Sequence, residues 1–251
     1  MKELPTDENN ISRLTSKGPL SILTVNPMKI WWWAGLVLAV AGVVIVGWRI
    51  LDHNRPPVEL SESEQRFLLQ LARRELRAVL SGESRVSVDP SEFSEELKQK
   101  AACFVTLTKN GVQRGCMVDF LYPHEPIYQN VLRNAVLAAT GDERYPPVTL
   151  DELDVMRIEI NVLNRPERLR FKTPEELLKK LRPGTDGVIL RTPSDFATYL
   201  PQVWRLYPEP DQFLSHLCEK ADARPDCWRE RPLPEIEIYQ TLHFTEDEPP
   251  R

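Results

Sequence analysis

The chain is poor in the residues from which many sites are built. It has four cysteines and four histidines in 251 residues, and no Cys-x-x-Cys pair, His-Glu-x-x-His run or glycine-rich phosphate loop. These gaps speak against a zinc site announced by its spacing and against a dinucleotide or P-loop fold. So few cysteines in so long a chain do not suggest a disulfide framework either. Basic charge is also short, since 32 Lys and Arg face 37 Asp and Glu, for a net charge of −5. A phosphate backbone needs a dense basic face, so nucleic acid is not an expected partner. No repeat or low-complexity tract is present, and neither a metal nor a cofactor is expected.

What the chain does have is one long apolar run. Residues 30–50 carry no charge until Arg49. As a helix this run spans roughly 31 Å, the thickness of a hydrocarbon core. Trp31, Trp32 and Trp33 stand at one end and Trp48 at the other, where interfacial aromatics belong. A buried soluble helix would keep a polar face, and a signal peptide would not follow a polar tail of residues 1–29. The expectation is one transmembrane helix in contact with membrane lipid. Its orientation is open, because Arg13, Lys17 and Lys29 before it balance Arg49, Arg55 and Arg66 after it. Residues 1–51 hold five Lys and Arg against three Asp and Glu, which leaves −7 for the remainder.

After a Pro56-Pro57 linker (51–60), residues 61–244 read as one α+β domain with an antiparallel-dominated sheet and packed helices. An acidic tail, 245–251, closes the chain. Ser61 and Glu64 form a capping box for a helix with Leu68, Ala72, Leu76 and Leu80 on one face and Gly82 just past its end. A second helix is expected between Pro123 and Gly141, with Ile127, Val131, Ala135 and Ala138 as its stripe. Met156 to Val162 alternates like a half-solvated strand, and Glu235 to Phe244 like a final one. Cys218 and Cys227 read as packing residues. About 190 residues would bury roughly 70% of their unfolded surface, enough for a core of their own.

The run from Cys103 to Met117 draws the chemical interest. Asn110-Gly111 favours a type I′ hairpin turn, and counting outward sets Lys109 against Val112 and Val105 against Cys116. Cys103 is then diagonal to Cys116, roughly 7 Å away, too far for a disulfide. Both are expected as free thiols on one face with Val105 and Leu107. Arg114, on that same face, would supply the charge that lowers a thiol pKa, so Cys116 with Arg114 is the candidate catalytic pair. Arg144 and Gln202, bracketed by tight backbone signals, are candidates with Arg114 for holding an anionic or amide-bearing ligand. Asn134 falls on an apolar stripe and needs partners. Glu159, which shares a sheet face with Arg157 and Asn161, is a ligand-binding candidate, as is Asn134. His124, His216 and His243 have no spacing that predicts a dyad.

These residues resemble a known family. Cys103-Phe-Val-Thr-Leu107, Arg114-Gly-Cys116, Asn134-Ala135, Arg144-Tyr-Pro-Pro147, Glu159, Asp186-Gly187, Leu200-Pro-Gln-Val203 and Phe213 to Ala221 are similar in order and spacing to the AMMECR domain, also called AmmeMemoRadiSam system protein A. The resemblance implies an α+β fold of a larger and a smaller subdomain with a cleft between them. It also implies association with a Memo-type protein and a radical S-adenosylmethionine protein, with a biochemical activity that is not settled. A radical partner needs a reducing interior, so the resemblance suggests a cytoplasmic domain. The family pattern continues Arg-Gly-Cys-Ile-Gly, whereas here Met117 and Val118 follow the cysteine. Two functions follow as expectations: a membrane-held binding or adaptor component of an AmmeMemoRadiSam-like system, or a thiol-dependent enzyme using Cys116 and Arg114.

Overall fold

The computed structural model describes residues 59–193 and 195–247. The apolar run at 30–50 lies outside the described residues, and among those described no helix is long and apolar enough to cross a membrane.

Helix α1 (Glu62–Leu80) begins as its capping box predicts, with Glu64 returning a carboxylate to the Ser61 backbone at 2.8 Å. It ends in a left-handed Gly82 (φ +76), with Glu83 N donating to Ala78 O and Gly82 N to Val79 O, a Schellman close. A short helix α2 (Glu95–Lys98) then leads into β1 (Ala102–Lys109), which turns through Asn110 and Gly111, both at positive φ, into β2 (Val112–Met117). Helix α3 (Ile127–Thr140) follows, then the single turn α4 (Leu150–Leu153) and strand β3 (Met156–Leu163).

The first sheet has the order β2-β1-β3-β8, with β8 (Thr241–Thr245) at its edge and every pairing antiparallel. One face lies under α1 and α3, where Val105, Leu107, Ile158 and Ile160 meet Leu68, Leu76, Val131 and Ala135. At roughly 1.5–3 kcal/mol per fully buried aliphatic side chain, this layer is the main stabilising one. Gly115 is required here, since a Cβ on it would stand 2.0 Å from the Ala138 carbonyl oxygen of α3.

The second sheet, also fully antiparallel, has the order β4-β7-β5-β6, from β4 (Glu167–Arg168), β7 (Glu235–Tyr239), β5 (Gly187–Arg191) and β6 (Phe196–Tyr199). Helices α5 (Pro174–Lys180) and α6 (Pro210–Lys220) and a 3₁₀ turn at Pro201–Arg205 complete its layer around Trp204, Phe213 and Trp228. Phe104, Leu121, Leu163, Ile189 and Tyr239 form a third apolar cluster that joins the open face of the first sheet to the second.

Several expectations need correction. The final strand is two strands in two sheets. Its alternation runs unbroken, so the break at Gln240 is invisible in the pattern. There Asn164 locks the backbone, accepting from Gln240 N at 2.8 Å and donating its own N–H to Gln240 O at 3.1 Å. The acidic tail also starts later than expected. Glu246 is part of the fold, taking Arg73 at 2.6 Å and the backbone N–H of Ile158 at 2.8 Å. Cys218 and Cys227 are not separate packing residues but a disulfide, with Cα atoms 5.9 Å apart. The chain reverses just after α6 through Asp222, at φ +50, and that reversal brings the second cysteine back.

Candidate functional site

The hairpin that carries Cys116 is not the ladder that a bare two-residue turn would give. Lys109 does pair with Val112, but a bulge between Leu107 and Thr108 leaves Arg114 as an extra residue, so Leu107 faces Gly115 and Thr106 faces Cys116. A one-residue slip moves every later side chain to the other face. Cys116 therefore sits on the open face of the sheet, and Cys103 lies under the helices. Both thiols are free, as expected, but they do not share a face. Full burial pushes the Cys103 thiol up to about 12, a packing residue in its chemistry.

The same bulge separates Arg114 from Cys116. The guanidinium binds Glu152 at 3.0 Å and the carbonyls of Pro146 and Pro147 at 2.7 and 3.2 Å. With Lys109 also on Glu152 at 3.0 Å, these bonds hold the Glu152 carboxyl down at about 2. Arg114 is thus a clamp on the hairpin, and the expectation that it lies beside the thiol is corrected. Asn134 is likewise committed to structure. Its amide accepts from Asp119 N at 3.1 Å and donates to Cys103 O at 2.9 Å and to Asn130 Oδ1 at 3.0 Å.

Around Cys116 stands a different set. Thr106, nearly buried, donates its hydroxyl to the sulfur at 3.2 Å. Asp142 accepts the Cys116 N–H at 2.9 Å, and Arg144 binds Asp142 at 2.7 Å while reaching the Cys116 carbonyl at 3.3 Å. Lys220, from the end of α6, puts its Nζ 2.9 Å from the Thr198 carbonyl and 4.9 Å from the centre of the Tyr199 ring. Burial is the largest influence on the Cys116 thiol and pushes it above its ordinary value, against the opposing pull of Thr106, Arg144 and Lys220. Burial also lowers the Lys220 pKa, while the bond to Arg144 lowers that of Asp142.

Cys116, Asp142, Arg144 and Lys220 line a cleft of about 730 Å³ between the open face of the first sheet and the β6–α6 layer, with Phe104, Phe196, Tyr199 and Leu200 among its apolar walls. Val118, at the position where the resembled pattern carries its second glycine, is part of that wall.

The row continues along the sheet, since Thr106 is also opposite Glu159, and Asn161 opposite His243. Glu159 accepts from Asn161 Nδ2 at 2.9 Å and pairs with His243 Nε2 at 3.3 Å. Burial raises its pKa, but these contacts outweigh it and hold the carboxyl below its ordinary value. Gln202 donates to Asn161 and leaves its own Oε1 buried without a bond. Four of the expected residues, Cys116, Arg144, Glu159 and Gln202, thus come together on this face, and Arg114 and Asn134 do not.

Sequence reasoning missed Lys220 and Thr106 as site residues, although both lie inside segments that carry the resemblance, and Asp142, which lies inside the charged loop 141–147. It also missed Asp119, His124 and Glu125, whose ligand atoms lie within 4.8 Å of one another. Arg133 binds both carboxylates, Asp119 at 2.8 Å, and occupies the place of a balancing cation.

The family model described as AMMECR1 matches residues 69–244. Among curated relatives, a protein of Thermofilum pendens is 35% identical over 205 residues, covering 76% of this chain and 93% of its own. One of Methanothermobacter thermautotrophicus is 35% identical over 191 residues, covering 75% and 97%. The crystal structure of an uncharacterised protein from Pyrococcus horikoshii superposes with a TM-score of 0.67 at 32% identity, covering 73% of this chain and 91% of that one.

Proposed function

Since the chain belongs to the AMMECR1 family, we propose that it works as a membrane-held binding component, presenting the cleft beside Cys116 to a ligand or partner, and not as a thiol catalyst. The state of the thiol carries this reading. Burial raises its pKa, Thr106 donates to the sulfur, and the arginine expected to activate it is tied to Glu152. A neutral thiol so placed is a wall residue.

The anchor in this proposal is residues 30–50, supported by length and by flanking tryptophans. The Cys218–Cys227 disulfide favours a domain on the oxidising side of the membrane, opposite to the side that the resemblance suggests. A Memo-like protein and a radical S-adenosylmethionine protein are the partners that the resemblance proposes.

One observation favours the second reading, a thiol-dependent enzyme. Arg144 and Lys220 both pull the Cys116 pKa down. The Cys116→Ser chain separates the two. If the cleft binds, this chain still recovers its partner from mildly solubilised membranes and still supports the cellular role. Loss of that role with the melting temperature and the partner both retained would favour the enzyme. Recovery of nothing by the native chain would count against the adaptor.

A further inference from the structure

We infer that the cleft takes a small molecule with an anionic head group on an apolar, ring-bearing body, the anion seated between Lys220 Nζ and the Arg144 guanidinium and the body against Phe104, Phe196 and Tyr199. This rests on the reading of the cleft as a binding site and names the chemistry of what binds there.

The charges lead to it. Both oxygens of Asp142 are taken, by Arg144 at 2.8 and 2.7 Å and by the Cys116 N–H at 2.9 Å, so Asp142 and Arg144 cancel. Lys220 adds a cation whose contacts are a carbonyl oxygen and a ring face. Among the described residues no carboxylate pairs with it. The cleft is thereby positive by one charge in a domain that is negative overall. After burial, Arg144 is a further influence that disfavours the protonated form of Lys220. A partly desolvated cation facing a second one is costly unless an anion meets it, and an anion between the two removes the repulsion and supplies charge-assisted bonds.

The rest of the cleft suits a ring. Its 730 Å³ is of the size that encloses a small organic ligand. Phe104 forms part of the floor, and Phe196, half exposed, stands at the mouth. Val118 adds a branched apolar side chain to the wall where a glycine would leave space. Aromatic walls of this kind favour offset or edge-on ring contacts.

The head group is a carboxylate or a phosphate, and calorimetry on the full chain in lipid nanodiscs, with empty discs subtracted, distinguishes them. The probes are 1-naphthoate, 1-naphthyl phosphate and the neutral 1-naphthalenemethanol. One or both anions bind saturably, at least about tenfold tighter than the neutral probe. Lys220→Gln loses about tenfold for the anion and nothing for the neutral probe, while Lys220→Arg restores anion binding. An unchanged melting temperature shows that the Gln chain is folded.

The inference falls if the neutral probe binds as tightly as the anions, if folded Lys220→Gln binds them unchanged, or if none of the three binds. Tight binding of the neutral probe would leave the cleft as a binding site and remove only the anion. Fast alkylation of Cys116 at neutral pH would remove the binding reading itself, whichever probe binds.

Discussion

At the scale of single residues, Glu152 and Gly115 decide where Cys116 points. Glu152 gathers Lys109, Arg114 and the backbone N–H of Thr149, so its carboxyl is charged in the fold far below the pH at which a free one protonates. The lowered pKa fixes the sign: its stabilisation is fully present above about pH 4.5 and is lost as pH falls toward 2. Glu152→Gln should lower stability by about 1–3 kcal/mol at neutral pH and flatten the acid limb in that window, read by denaturant melts at several pH values. An unaltered acid limb would contradict the clamp. Gly115→Ala should cost more, about 2–4 kcal/mol, because its Cβ meets a backbone oxygen that cannot rotate away. An alanine chain as stable as the native one would mean that α3 does not sit tight on β2.

At the scale of elements, what was legible in the sequence follows from how local each signal is. The capping box at Ser61, the Asn110-Gly111 turn, the stripe of α3 and the alternation at the start of β3 are each fixed within a few residues and stand as expected, whereas the far end of β3 is buried on both faces, Asn161 included. The bulge at Arg114 is not local in that sense. It is imposed by Glu152 and the Pro146 and Pro147 carbonyls, over thirty residues away, and it reversed the expected face of Cys116. The sheet change at Gln240 was hidden for the same reason, since it depends on Asn164 far back in the chain. The Cys218–Cys227 bond spans only nine residues and was hidden because the reversal at Asp222 falls on a residue that does not announce it. The site was therefore half legible, with Cys116 and Arg144 found and Lys220 not. The disulfide closes a short loop beside the helix end that carries Lys220, so Cys218→Ser with Cys227→Ser should cost about 2–3 kcal/mol. Melts with and without reductant check this, and identical curves would say that the bond contributes nothing.

At the scale of the whole molecule, the helices of this AMMECR1 domain cover one face of its first sheet, and the other face, half closed by the second sheet, holds the cleft. The proposed span at 30–50 predicts that a reporter before Met1 and one after Arg251 report opposite sides of the membrane. Equal sides would exclude a single span. The side reading adds that Cys218 and Cys227 resist alkylation in unreduced cells, and ready labelling of both would return the domain to a reducing interior. Whether the cleft binds beside a neutral thiol is read from the pH profile of Cys116 alkylation with iodoacetamide in the folded chain, followed residue by residue by mass spectrometry. With burial raising the thiol, labelling should be slow at neutral pH and rise only above the ordinary thiol range. Rapid labelling at pH 7, with a midpoint below that range, would contradict it.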